Sequence, residues 1–167
     1  MNKEFAISFL QKNQPMPDDK SLSQEAIDTY CEVLSYIKEN PDNDFIALIL
    51  NSFGEWDGFG VYQTVEDIIM EFDQKKVINV LKESLQSGYD SVRYWCAQIS
   101  GLFTNDELIV PLSKIVKDEN SDIRISAYIS LSNYYNNEHV KSLLSERLDN
   151  EDDLDAKEIL IQILSDF

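Results

Sequence analysis

The segment Val92-Arg93-Tyr94-Trp95-Cys96-Ala97-Gln98-Ile99-Ser100-Gly101-Leu102-Phe103 carries a stripe that returns along the chain. Val92, Cys96, Ile99 and Phe103 are spaced 4, 3 and 4, which is one face of an α-helix. A shift of 31 residues toward the N-terminus lands on Val61, Val65, Ile68 and Phe72. The same shift forward lands on Ile123, Ala127, Ser130 and Tyr134, and a further 33 on Ala156, Leu160, Ile163 and Phe167. Ser130 is the one polar residue in the set.

A second stripe precedes the first each time. Val77, Val80, Leu81 and Leu85 return as Leu108, Pro111, Leu112 and Val116, then as Val140, Leu143, Leu144 and Leu148. Toward the N-terminus only Ile46, Ile49 and Leu50 match before Gly54 breaks the pattern. Two stripes recurring together every 31–33 residues predict helix–loop–helix units at about 45–72, 77–103, 108–135 and 139–167. Ahead of them, Ile27, Tyr30, Leu34 and Ile37 predict a helix closed by Asn40-Pro41. Phe5, Phe9 and Leu10 would cover its open side, so residues 1–40 read as N-terminal capping helices. No unit can bury its stripe alone, but stacked units share a core. The expectation is an all-α, right-handed α-solenoid of about four repeats, with 45–167 as one continuous domain.

The third unit contains Asp118-Glu119-Asn120-Ser121-Asp122-Ile123-Arg124-Ile125-Ser126-Ala127. This resembles the HEAT repeat in its short, phycobilisome-lyase-like form. That pattern has an acid ending the first helix and an arginine six residues on, opening the second. Asp118 and Arg124 match it; the second unit keeps Arg93 with Ser87 in the acid's place, the fourth has Glu151 and Lys157, and the first has Tyr62 in the arginine's place. The resemblance implies a structural role for Asp118, Arg93 and Arg124, tying helix ends together. The 58–67 segment followed by Val92–Ala97 also resembles HEAT-like proteins of bacterial polymorphic toxin loci, which implies an immunity function.

Composition narrows the functions. Among 167 residues, 31 are acidic and 14 basic, for a net charge of −17. A nucleic-acid binder needs a basic footprint, and anionic membranes repel such a chain. At 43% hydrophobic residues it can still build a core. Its two cysteines form no C-x-x-C pair and its single histidine, His139, lacks partners, so no metal site or cofactor is expected. Both thiols read as buried, and the acid run Asp149–Asp155 as a solvated loop. No export signal is evident at Met1–Leu10, which points to the cytoplasm.

Two places stand out as candidate partner-binding sites. Three of the five glycines fall in Gly54-Glu55-Trp56-Asp57-Gly58-Phe59-Gly60, where Trp56, Asp57 and Phe59, followed by Tyr62 and Glu66, suggest a contact loop; the alternative is that Trp56 and Phe59 fold back and plug the junction between the first and second units. The outer side of the second helices would present Tyr94, Trp95 and Tyr128, with Ile125 and Ile129 beside them; the alternative is that Trp95 or Tyr128 packs between units. The expected function is a non-catalytic scaffold or adaptor for another protein with a basic surface, in its sharper form an immunity protein neutralising a basic toxin. A HEAT-like enzyme, a lyase or DNA glycosylase relative, is the alternative; acidity and the lack of a catalytic constellation disfavour it.

Overall fold

Short polar side chains set where the helices begin. Asn2, Ser23, Asp73, Asn120, Asn137 and Asp153 each accept a hydrogen bond from a backbone N–H of the first turn that follows. Without such a cap those donors would have no intrahelical partner. The computed structural model describes residues 1–167. Its helices are α1 (Lys3–Lys12), α2 (Gln24–Glu39), α3 (Asp44–Leu50), α4 (Thr64–Ile69), α5 (Gln74–Ser84), α6 (Asp90–Ser100), α7 (Ile109–Ile115), α8 (Ser121–Ser132), α9 (Glu138–Asn150) and α10 (Leu154–Ser165). A 3₁₀ turn, Asp106–Leu108, leads into α7, whose Pro111 sits in the first turn, where its missing N–H does no harm. There are no strands: the chain is all-α, built from the paired helices of an α-solenoid.

The chain divides into two compact units, Met1–Val92 and Arg93–Phe167, the division falling inside α6. In the first unit α1 packs on α2 and α3, α2 on α4, and α3 on α5. Tyr30 and Tyr62 anchor its core: their rings meet edge to face at 5.9 Å, and Phe53 meets Tyr62 at 5.5 Å. The Tyr30 hydroxyl lies 2.7 Å from Ser52 Oγ, so the buried phenol is satisfied. Ala6 and Leu10 turn inward from α1, while Phe5 is exposed, contrary to the expected cover. Cys96 is buried, but Cys31 is exposed: it lies outside the 3, 4, 3 stripe of α2.

In the second unit α7 and α10 both pack on α8, and α10 on α9. Ser130, the polar member of the stripe, has a physical reason. Its hydroxyl donates to the Ala97 carbonyl of α6, and Asn133 donates to the Gly101 carbonyl at 2.9 Å. A side chain at Gly101 would come within 3.0 Å of Ser130 Oγ, so glycine allows the two helices to approach.

Two arginines hold this unit in register. Arg124 Nη1 donates to the Asp118 and Glu119 carbonyls at 2.9 and 3.0 Å, in the loop joining α7 and α8. Its Nε reaches Glu151 at 3.0 Å, beyond α9, and Nη2 takes the other Glu151 oxygen. Asp118 is not the carboxylate partner of Arg124; it receives Arg93 Nε at 2.7 Å. Each arginine thus reaches forward to the acid of the following repeat. Asp149, Asp152 and Asp155 are exposed, as a solvated run requires, but Glu151 is buried, which corrects the expectation at that one residue, and the neighbouring Asp153 is the α10 cap. Burial opposes ionisation of Glu151, but hydrogen bonds from Arg124, Tyr128 and the Asp153 N–H outweigh it and hold its pKa down at about 2.

Removing one partner of a buried ion pair strands the other charge. Arg124→Ala should therefore lose about 3–5 kcal/mol of stability, read from the urea midpoint. Because the Glu151 pKa is depressed, its contribution is complete above the ordinary glutamate value of about 4.3 and disappears as pH falls toward the folded value. The gap in melting temperature between the parent and Glu151→Gln should be widest near neutrality and close on acidification; a gap that stays constant with pH would contradict the pairing.

Candidate functional site

The 54–60 loop joins α3 to α4 in the first unit. Four of its residues adopt positive φ: Trp56 at 71°, Gly58 at 57°, Phe59 at 56° and Gly60 at 86°. For the glycines this is ordinary, but for Trp56 and Phe59 it is strained. The loop is built from beneath. Gly58 lies directly on the Tyr62 ring, where an added Cβ would sit 2.8 Å from the ring carbons. Its N–H donates to Asp19 Oδ1 at 3.1 Å. At Gly54 an added Cβ would come within 2.6 Å of the Met16 and Pro17 carbonyl oxygens. Gly60 and Tyr62 both donate their N–H groups to the Asp57 carbonyl. Trp56 and Phe59 are left outward, 70% and 63% exposed, with Asp57 and Glu55 also exposed.

Tyr62 does not belong to that outer surface. It is fully buried as the loop's floor, and burial pushes its pKa up to about 12. This corrects its placement among partner contacts; Glu66, half-buried on α4, stays at the margin.

In the second unit the candidate surface is the outer side of α8. Trp95 and Tyr128 are buried, as the packing alternative has it, which corrects their placement among partner contacts. Tyr128 donates to Glu151 at 2.6 Å and so belongs to the arginine network; burial raises its pKa, as the bond to Glu151 also does. Tyr94 is half-buried, its ring edge to face with Trp95 at 5.5 Å. It lines a groove of about 480 Å³ between α6 and α8, with Gln98, Ile125, Ser126, Ile129 and Asn133. A second groove of about 350 Å³ lies between α8 and α10, lined by Ile129, Tyr135, Ile159, Gln162, Ile163 and Phe167. The two share Ile129 and Ser132, so they form one track across α8. Its only acids are Asp122 and Asp166, one in each groove. Ile163 and Phe167, assigned to the core by spacing, are only half-buried here.

The strongest pKa shifts fall on core tyrosines raised by burial and on ion-paired groups such as Lys3, raised by hydrogen bonds to Asp42 and Asp44. No group of three or more His, Cys, Asp or Glu residues is placed to hold a metal ion. His139, exposed at the start of α9, has its N–H held by the Asn137 cap.

The loop geometry makes opposed predictions for neighbouring residues. Phe59→Gly keeps the backbone and removes the strain, so it should raise the melting temperature by about 2–4 °C. Gly58→Ala adds a Cβ at positive φ against the Tyr62 ring and should cost about 2–4 kcal/mol. Thermal melts of the two variants decide both.

No curated protein sequence matches the chain. The family model described as HEAT repeats matches residues 78–165, more than half of the chain. That span holds α6, α8 and α10, the arginines and the acids they reach. The chain belongs to the HEAT-repeat family.

Proposed function

We propose that this chain is a non-catalytic protein-binding scaffold whose α6–α8–α10 track seats an apolar segment of another protein. The reading rests on one observation. In a chain with 31 acids, the track has an isoleucine and tyrosine floor, a rim of serine, asparagine and glutamine, and carboxylates only from Asp122 and Asp166. Ile129, shared by both grooves, is 52% exposed, and an exposed aliphatic ridge with a neutral polar rim is how protein interfaces are built. Asp122 opens α8 and Ser132 closes it, about 15 Å apart at the rise of a helix. The matching occupant is a short apolar stretch with basic residues at both ends.

The sharper form is immunity: the partner is a basic toxin of a bacterial cell, bound in the cytoplasm. The −17 charge supports it, since opposite potentials speed encounter and exclude wrong partners. Two free cysteines suit a reducing compartment.

Pull-down from the source cells with the parent and Ile129→Arg side by side tests the scaffold. A defined basic protein should be retained by the first and lost by the second; identical retention overturns the track as the binding surface. Co-expression with the toxin product of an adjacent gene tests the sharper form, and unchanged killing would end it.

A further inference from the structure

Arg93, Arg124 and Lys157 are each the fourth residue of their helices, α6, α8 and α10. The eighth residues are Ala97, Tyr128 and Ile161, and the eleventh are Ser100, Leu131 and Leu164. In α6 and α8 this face is closed by the helix pair that follows. Arg93 takes Asp118, and Arg124 takes Glu151. The Ala97 carbonyl accepts from Ser130, and Tyr128 donates to Glu151. Ala97, Ser100, Tyr128 and Leu131 are all buried.

α10 repeats that face in the open. Ile161 is 56% exposed, and Leu154, one turn before Lys157, is 81% exposed. Leu164 is half-buried, and so is Leu148 of α9, whose counterparts Leu85 and Val116 are buried. Leu154, Lys157, Ile161 and Leu164 are spaced 3, 4 and 3, so they share one side of the helix. That side lines neither groove of the track. Lys157 belongs to none of the chain's ion pairs.

The two closed faces define what the open one fits: a helix pair whose carboxylate lies just past its first helix. Lysine in the arginine's place suits a contact that forms and dissolves. Its ammonium is strongly hydrated when unpaired, and its flexible stem follows an acid that arrives from outside. Two copies of this chain meeting through the same face would bring lysine to lysine and −17 to −17.

We propose that the outer face of α9 and α10 docks a helix pair of another protein, with Leu154, Ile161 and Leu164 covered by its apolar stripe and Lys157 taking its carboxylate. This surface is additional to the track and independent of it.

The test fills the face deliberately. A copy of residues 135–167 is appended after Phe167, which reproduces the length of the α8–α9 connection. In the extended chain Lys157→Gln should lower the melting temperature by roughly 3–6 °C. Glu151→Gln made in the copy alone should do the same, and the two together should cost no more than either. In the unextended chain Lys157→Gln should move the melt by less than about 1 °C. Equal shifts in the two chains, or none in either, overturn the proposal. Pull-down from the source cells then compares the parent, Ile129→Arg, Ile161→Glu and the extended chain. One protein should be held by the first two and lost by the last two. A captured set that neither Ile161→Glu nor the extension changes overturns the docking face and leaves the track untouched. A parent that sediments as a dimer, and as a monomer after Ile161→Glu, overturns it in favour of a second copy.

Discussion

Arg124 stands where three pieces of chain have to be held at once. Its fork of donors satisfies two carbonyls of the α7–α8 loop and a carboxylate from beyond α9, almost out of reach of water. A lysine offers a single point of charge and could not span these acceptors in one plane. With the fork in place, the buried Glu151 is ionised and able to accept from Tyr128 and from the turn that starts α10. The position of α10 beside α8 follows, and with it the track that crosses them.

The stagger of this pairing explains the departure in the first repeat. Tyr62 takes the place of the arginine there, and Ser87 takes the place of the acid in the repeat after it. An arginine that pairs forward leaves no use for the next acid once it is gone. A buried aromatic cluster of Tyr30, Phe53 and Tyr62 stands in its stead, and the glycine loop closes over that cluster.

The repeat was legible because helix periodicity and chain period are both carried by apolar side chains. Val92, Cys96, Ile99 and Phe103 are all buried, and so are their counterparts from Ile123 to Tyr134. The misreadings came from width. A 4, 3, 4 stripe is narrower than the face a packed helix buries, which takes in i, i+3, i+4 and i+7. By that wider spacing Trp95 joins Val92, Cys96 and Ile99, and Tyr128 joins Arg124, Ala127 and Leu131, all of them inside. Tyr62 joins Val65 and Ile69 in the same way. Glu151 was hidden by its acidic neighbours, although its register with Asp118 was already visible. The positive φ at Trp56 and Phe59 left no trace in those residues themselves, since nothing in an aromatic side chain announces a left-handed backbone. Its only hint was the density of glycine around it.

Forward pairing also bears on how such an array can change over generations. A copy of the third repeat brings one arginine, Arg124, and one acid, Asp118. Inserted next to its original, it takes the arginine offered from behind and offers its own ahead, so no charge is left alone inside. Loss of a whole repeat closes the gap equally well. Loss of a single helix leaves a guanidinium or a carboxylate buried without its complement. The unit that the interior tolerates is the complete helix pair, and where the arginine is missing, as at Tyr62, the acid it would reach is missing too, as at Ser87.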